Sequence, residues 1–103
     1  FLIFSGYNRK DGLGSGDLYI SHQKDDKSWT TAKNMGGTIN SKYMDYCPFV
    51  DTASKTLYFT SRRSALEPKE FKSIQEFYTA VNSYENGDSR IYKIAKKNWG
   101  LNK

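Results

Sequence analysis

Thiol and imidazole are nearly absent from this chain, which has one cysteine, Cys47, and one histidine, His22. A single thiol cannot close an internal disulfide, and one His with one distant Cys cannot complete a zinc site. No apolar run approaches the roughly 20 residues of a membrane-spanning helix. Hydrophobic residues make up 37% and the mean hydropathy is −0.78, lean for a self-contained core. Aromatics are plentiful instead, at 16%, with eight Tyr and six Phe. Such a chain buries large, half-polar rings, and Tyr, Phe, Ile and Thr in short runs favour strands.

The length of 103 residues is that of one small domain. Residue 1 is Phe rather than Met and already begins an apolar strand, and the chain stops just after Trp99. Both ends therefore read as cuts, and a piece of a longer chain is expected. The net charge is +5, from 16 basic and 11 acidic residues. From Arg90 onward the chain holds Lys93, Lys96, Lys97 and Lys103 without an acid. No motif that reads RNA or DNA accompanies these charges. They are read as a solvated strand edge, where Lys discourages aberrant pairing, and no nucleic-acid partner is expected.

Strands are predicted at Phe1–Ser5, Asp17–Ser21, Tyr46–Asp51, Thr56–Ser61 and Ser89–Ala95, with a short edge strand after Trp29. Pro48, near the start of its strand, stands where proline is tolerated. One segment breaks the β pattern. Phe71, Ile74, Phe77, Tyr78 and Val81 fall on one helical face. Pro68 suits a first helical turn and Asn86-Gly87 supplies a stop. The expectation is an inserted α-helix over Pro68 to about Tyr84, within an insertion covering 64–86.

Glycine invites a phosphate loop at "GLGSGD" (12–17), but the run leads into a strand and lacks the Lys-Ser/Thr pair. "LGSG" misses a nucleophile elbow, because Leu13 stands where Gly is needed. The run also resembles calcium-binding Gly/Asp repeats, yet it occurs once. Asp17 and Asp45 are conceivable as a glycosidase pair, with nothing in the sequence to set their separation. "SHQKDDKSW" has the wrong spacing for an Asp-box hairpin, with Asp26 at the Gly position. No cofactor, metal site or catalytic residue is expected from these residues.

A repeat is more informative. "LIFSGYNR" aligns with "LYFTS-RR", matching Leu2 to Leu57, Phe4 to Phe59, Ser5 to Thr60 and Arg9 to Arg63. "GSGDLYIS" aligns with "NGDSRIYKI", matching Tyr19 to Tyr92 and Leu18 to Ile91. A polar turn and a Trp follow each copy, Trp29 and Trp99. Order, more than any one motif, carries the signal.

These residues resemble the WD-like β-propeller repeats of TolB-type proteins. "CPFVDTASKTLYFTSRR", then "NGDSRIY", and "DLYIS…W…NMGGTINSKYMDYCPF" follow the order of that family's blade. Arg90 replaces the acid at the position of Asp17, "DTASK" lacks the usual Gly, and the helix lies outside the basic repeat. The resemblance implies an all-β fold of antiparallel propeller blades, a partial propeller with one inserted helix. Residues 1–45 would supply strands B, C and D of one blade. Residues 46–103 would supply A, B, C and the start of D of the next. Two blades cannot close a ring of about four to eight.

In an antiparallel meander, alternate connections emerge at opposite ends of the strands. One end would gather Asn8, Arg9, Asn40, Tyr43, Asp45, Arg62 and Arg63 with the inserted helix, and it is the expected binding face, being rich in residues suited to recognition. Structural uses compete at each position. Asp17 is expected to brace the Gly turn, Asn40 and Asp45 to brace a loop, the arginines to form ion pairs, and the tryptophans to pack between blades. The resemblance implies a non-catalytic scaffold in a larger bacterial protein of the periplasm, cell envelope or secreted space. Its partners would be a protein or a cell-wall component, with a link to the outer membrane or peptidoglycan through domains outside this chain. The competing expectation is the propeller part of an enzyme, a prolyl-oligopeptidase-type serine peptidase or a sialidase-like glycosidase, with its catalytic residues largely elsewhere.

Overall fold

The computed structural model describes residues 1–64 and 73–100. Alternating runs of aromatic and β-branched residues form two antiparallel three-stranded sheets. The first contains β1 (Leu2–Tyr7), β2 (Gly16–Ser21) and the two-residue β3 (Lys33–Asn34), in that order. The second contains β4 (Asp45–Asp51), β5 (Thr56–Ser61) and β6 (Arg90–Ala95). Helix α1 (Ile74–Val81) lies between β5 and β6 in sequence.

The two hairpins share one register. Phe4 pairs with Tyr19 and Ser5 with Leu18; Phe59 pairs with Tyr92 and Thr60 with Ile91. Residues matched in the sequence alignment thus occupy equivalent seats in the two sheets. Both Phe–Tyr pairs are stacked, with ring centroids 5.9 Å apart in the first sheet and 6.0 Å in the second.

Equivalent seats do not mean equivalent burial. Side chains alternate between faces along a strand. The core takes Ile3, Leu18 and Ile20 from one face of the first sheet. From the second sheet it takes Val50, Leu57, Phe59, Tyr92 and Ile94. Leu57, Phe59 and Tyr92 correspond to Leu2, Phe4 and Tyr19, which lie on the other face of the first sheet. The sheets therefore pack head to tail, non-equivalent face against non-equivalent face. Leu18 is 0% exposed, whereas its counterpart Ile91, on the outer face of the second sheet, is 68% exposed. Phe49 shares that outer face and is also exposed.

Met35 and Ile39, from the segment joining the sheets, complete the core with Trp99. A short 3₁₀ turn (Lys96–Asn98) delivers Trp99 after β6, and its indole N–H donates to Ile94 O at 3.1 Å. Trp29, its counterpart in the alignment, does not pack between the sheets and is exposed. It lies in the 22–30 hairpin, where it bridges Gln23. That hairpin closes on itself, with Thr30 N donating to His22 O and Lys27 N to Lys24 O, and it carries the ring away from the core.

In β4 the pairing slips between Tyr46 and Phe49, and Cys47 takes a positive φ of 52°. Pro48 has no N–H for the ladder, so the irregularity falls beside it. The predicted helix is found in part. Its start at Pro68 lies outside the described residues, and α1 stops at Val81, short of Tyr84. Ser73 Oγ accepts from Glu76 N at 3.1 Å and caps the helix. Tyr84 instead turns back to β6, its hydroxyl donating to Ile91 O at 2.7 Å and its ring lying edge-on to Tyr92.

Candidate functional site

The connections before β2, β4 and β6 meet at one end of the sheets. Gly16 bridges Met44, Arg62 N donates to Met44 O at 2.9 Å, and Arg62 Nε donates to Gly87 O at 3.2 Å. A Cβ on Gly14 would run into the backbone of Lys42 and Tyr43, so only glycine lets these loops touch. The sequence-predicted residues gather at this end, but they do different things there.

Arg9 and Arg63 perform the same task in the two sheets. The Arg9 guanidinium carbon lies 4.6 Å from the Tyr19 ring centroid and 5.9 Å from that of Phe4. For Arg63 the distances are 4.7 Å to Tyr92 and 5.4 Å to Phe59. Each guanidinium caps a stacked Phe–Tyr pair, a favourable cation–π placement. Each tyrosine also donates to an acid, Tyr19 to Asp11 at 2.7 Å and Tyr92 to Glu85 at 3.3 Å. The repeated unit is thus Phe, Arg, Tyr and a carboxylate. The two acids were not anticipated from sequence, because they occupy non-matching places in turns of different length.

Burial, and then the partner carboxylate, push both the Tyr19 and Tyr92 phenols above the ordinary value of 10.0. A folded-state value above the unfolded one lends stability that is fully present below about pH 10. That stability is lost as pH rises through the folded value. We expect thermal unfolding midpoints to fall above about pH 10, and the Tyr19→Phe/Tyr92→Phe double variant to show a shallower fall. An identical alkaline profile in the double variant would contradict this reading.

Asp45, Asn40 and Asp17 face inward. Asp45 is fully buried and accepts from Ser41 N at 2.7 Å, Ser61 Oγ at 2.6 Å and Arg63 Nη2 at 3.1 Å. Arg63 also donates to Ile39 O at 2.6 Å, tying the inter-sheet segment to β5. Asn40 accepts from Leu18 N at 2.7 Å and donates to Leu18 O at 3.0 Å. Its amide thus satisfies the Leu18 N–H of β2 and shares the Leu18 carbonyl with Met35 N, which donates to it at 3.0 Å. Asp17 accepts from Leu13 N at 2.6 Å and weakly from Gly14 N at 3.4 Å, closing the glycine turn. Its other oxygen is buried without a hydrogen-bond partner among the described residues. Asp45 is occupied through both oxygens, and Asp17 through one.

Of the expected binding face, Asn8 and Arg62 are exposed and Tyr43 is half-buried. Asn8 is an exposed turn residue with a positive φ of 54°. Tyr43 and Arg62 line a hollow of about 320 Å³ with Lys42, Met44, Ser15 and Gly87. Lys42 Nζ lies 5.5 Å from the Tyr43 ring centroid, so cations flank the hollow on two sides. A larger cleft, of about 1130 Å³, opens at the opposite end of the sheets. Its lysines lie in segments that the sequence reading treats as solvated turns and a strand edge. Among the described residues, no cluster of three or more His, Cys, Asp or Glu is placed to hold a metal ion, and no helix is long and apolar enough to cross a membrane. The chain matches no protein-family model, no curated protein and no solved structure.

Proposed function

We propose that this chain is part of a β-propeller of TolB-type repeats that serves as a non-catalytic binding scaffold in a larger bacterial cell-envelope protein. The observation that carries the reading is the head-to-tail packing of two sheets built on one repeated unit. Packing of this kind is heterologous, so it continues until rotation closes a ring or the array runs on. Exposed Ile91 and Phe49 mark where the next sheet would lie, because the equivalent of Ile91 in the first sheet is fully buried. Polar groups at the loop end mostly serve the backbone, which suits a rigid platform better than a reaction centre. The binding face is the rim formed by Asn8, Tyr43 and Arg62, and its partner is an envelope protein or a cell-wall component.

Co-sedimentation of the full chain with purified peptidoglycan and with envelope extracts tests this function. Retention that falls at least about tenfold in the Tyr43→Ala/Arg62→Glu variant, with the fold retained by circular dichroism, is expected for a half-buried anchor beside an exposed charge. Retention unaffected by that variant would overturn the assignment of the face. Peptide- or glycoside-hydrolysing activity that depends on Asp17 or Asp45 would overturn the non-catalytic reading.

A further inference from the structure

The cleft of about 1130 Å³ has a composition that the loop-end hollow does not share. Its lysines come from three separate segments: Lys33 from β3, Lys55 from the β4–β5 turn, and Lys96 and Lys97 from the 3₁₀ turn after β6. No carboxylate is among its lining residues. None of the four lysines forms an ion pair within 4.0 Å with a described acidic side chain. Four lysines lining one cleft without a counter-charge among its lining residues raise the local concentration of anions.

Their placement is held by the backbone. Lys55 adopts the left-handed conformation, with φ 53°, which is uncommon for a residue with a side chain. Lys96 N donates to Lys55 O at 2.8 Å, clamping the two lysine-bearing turns together. Apolar residues form the floor. Phe1 meets Trp99 edge to face at 5.8 Å, Ile20 lies among the lining residues, and Lys96 Nζ sits 5.0 Å from the Phe1 centroid.

We propose that this cleft binds an acidic peptide segment that carries an apolar anchor side chain. The ammonium groups supply point charges suited to carboxylates, and the floor takes the anchor. The volume lies slightly above the range of about 300–1000 Å³ usual for small molecules, which suits an extended segment. A single-stranded nucleic acid would need an open aromatic face on which bases could stack. Trp99 offers none, being buried, and the Phe1 ring, 48% exposed, carries the Lys96 ammonium over its face, so it offers contact to an aliphatic anchor rather than a free stacking platform. The proposal is independent of the propeller reading, since it concerns the opposite end of the sheets.

Fluorescence anisotropy of the full chain with a labelled peptide of alternating Glu and Leu tests it. Binding is expected to weaken with added salt and on exchange of Glu for Gln or Leu for Ser in the peptide. The Lys55→Glu/Lys96→Glu variant is expected to lose at least about tenfold in affinity, with its melt unchanged because both side chains are exposed. Loss of the Phe1 anchor contact in Phe1→Ala gives a second readout that does not depend on charge. Absent peptide binding, or binding indifferent to both variants, would overturn the proposal. So would binding of a sulfated glycan or single-stranded DNA in preference to the peptide.

Discussion

Asp45→Ala is expected to lower the unfolding free energy by about 3 kcal/mol, the low end of the range for breaking a buried ion pair from one side. The carboxylate is fully buried and takes hydrogen bonds from Ser41, Ser61 and Arg63. Removing it leaves the Ser41 N–H and the Ser61 hydroxyl without their acceptor, a cost beyond the lost attraction. Arg63 keeps its bond to Ile39 O and its stacking over Tyr92, which holds the loss at the low end. Arg63→Met should cost at least as much, because it leaves the fully buried Asp45 carboxylate without its counter-charge and Ile39 O without its donor. Urea unfolding of both variants checks this order. An Asp45→Ala value within about 0.5 kcal/mol of the parent, typical of an unremarkable surface change, would show that the pair does not brace the inter-sheet segment.

The second large effect is expected at Trp99. Trp99→Ala removes an indole that is 2% exposed and fills the end of the core, for an expected loss of about 3–5 kcal/mol. Trp29 is 48% exposed, and Trp29→Ala should stay within about 1 kcal/mol. The two tryptophans align in sequence, so the contrast measures how far the copies diverge in three dimensions. Equal losses at both positions would mean that the 22–30 hairpin folds onto the core.

Strands were readable because alternation and repetition report them directly. The aligned residues Phe4 and Phe59, and Tyr19 and Tyr92, take equivalent places in the two sheets, and the all-β class is found. What the residues do was less readable. Asn40, Asp45 and Arg63 have the polarity of a binding face, yet long-range partners turn them inward, and pairs such as Arg63 with Ile39 leave no periodic trace. Asp11 and Glu85 escaped notice for the same reason, since a shared partner in space replaces a shared position in the repeat. The basic cleft was hidden because its lysines come from separate turns, and each looks like an ordinary solvated charge by itself. The sequence does contain the Ser73-Ile-Gln-Glu76 spacing of a capped helix start.

The central claim is that the two sheets are consecutive members of a head-to-tail array whose next member covers Ile91 and Phe49. An experimental structure of the larger protein that the proposal implies tests it most directly. The account predicts a further antiparallel sheet against that face, presenting the counterparts of Leu57 and Phe59 to Ile91. Ile91 and Phe49 facing solvent, or covered by a helix or by an equivalent face related by two-fold symmetry, would contradict it.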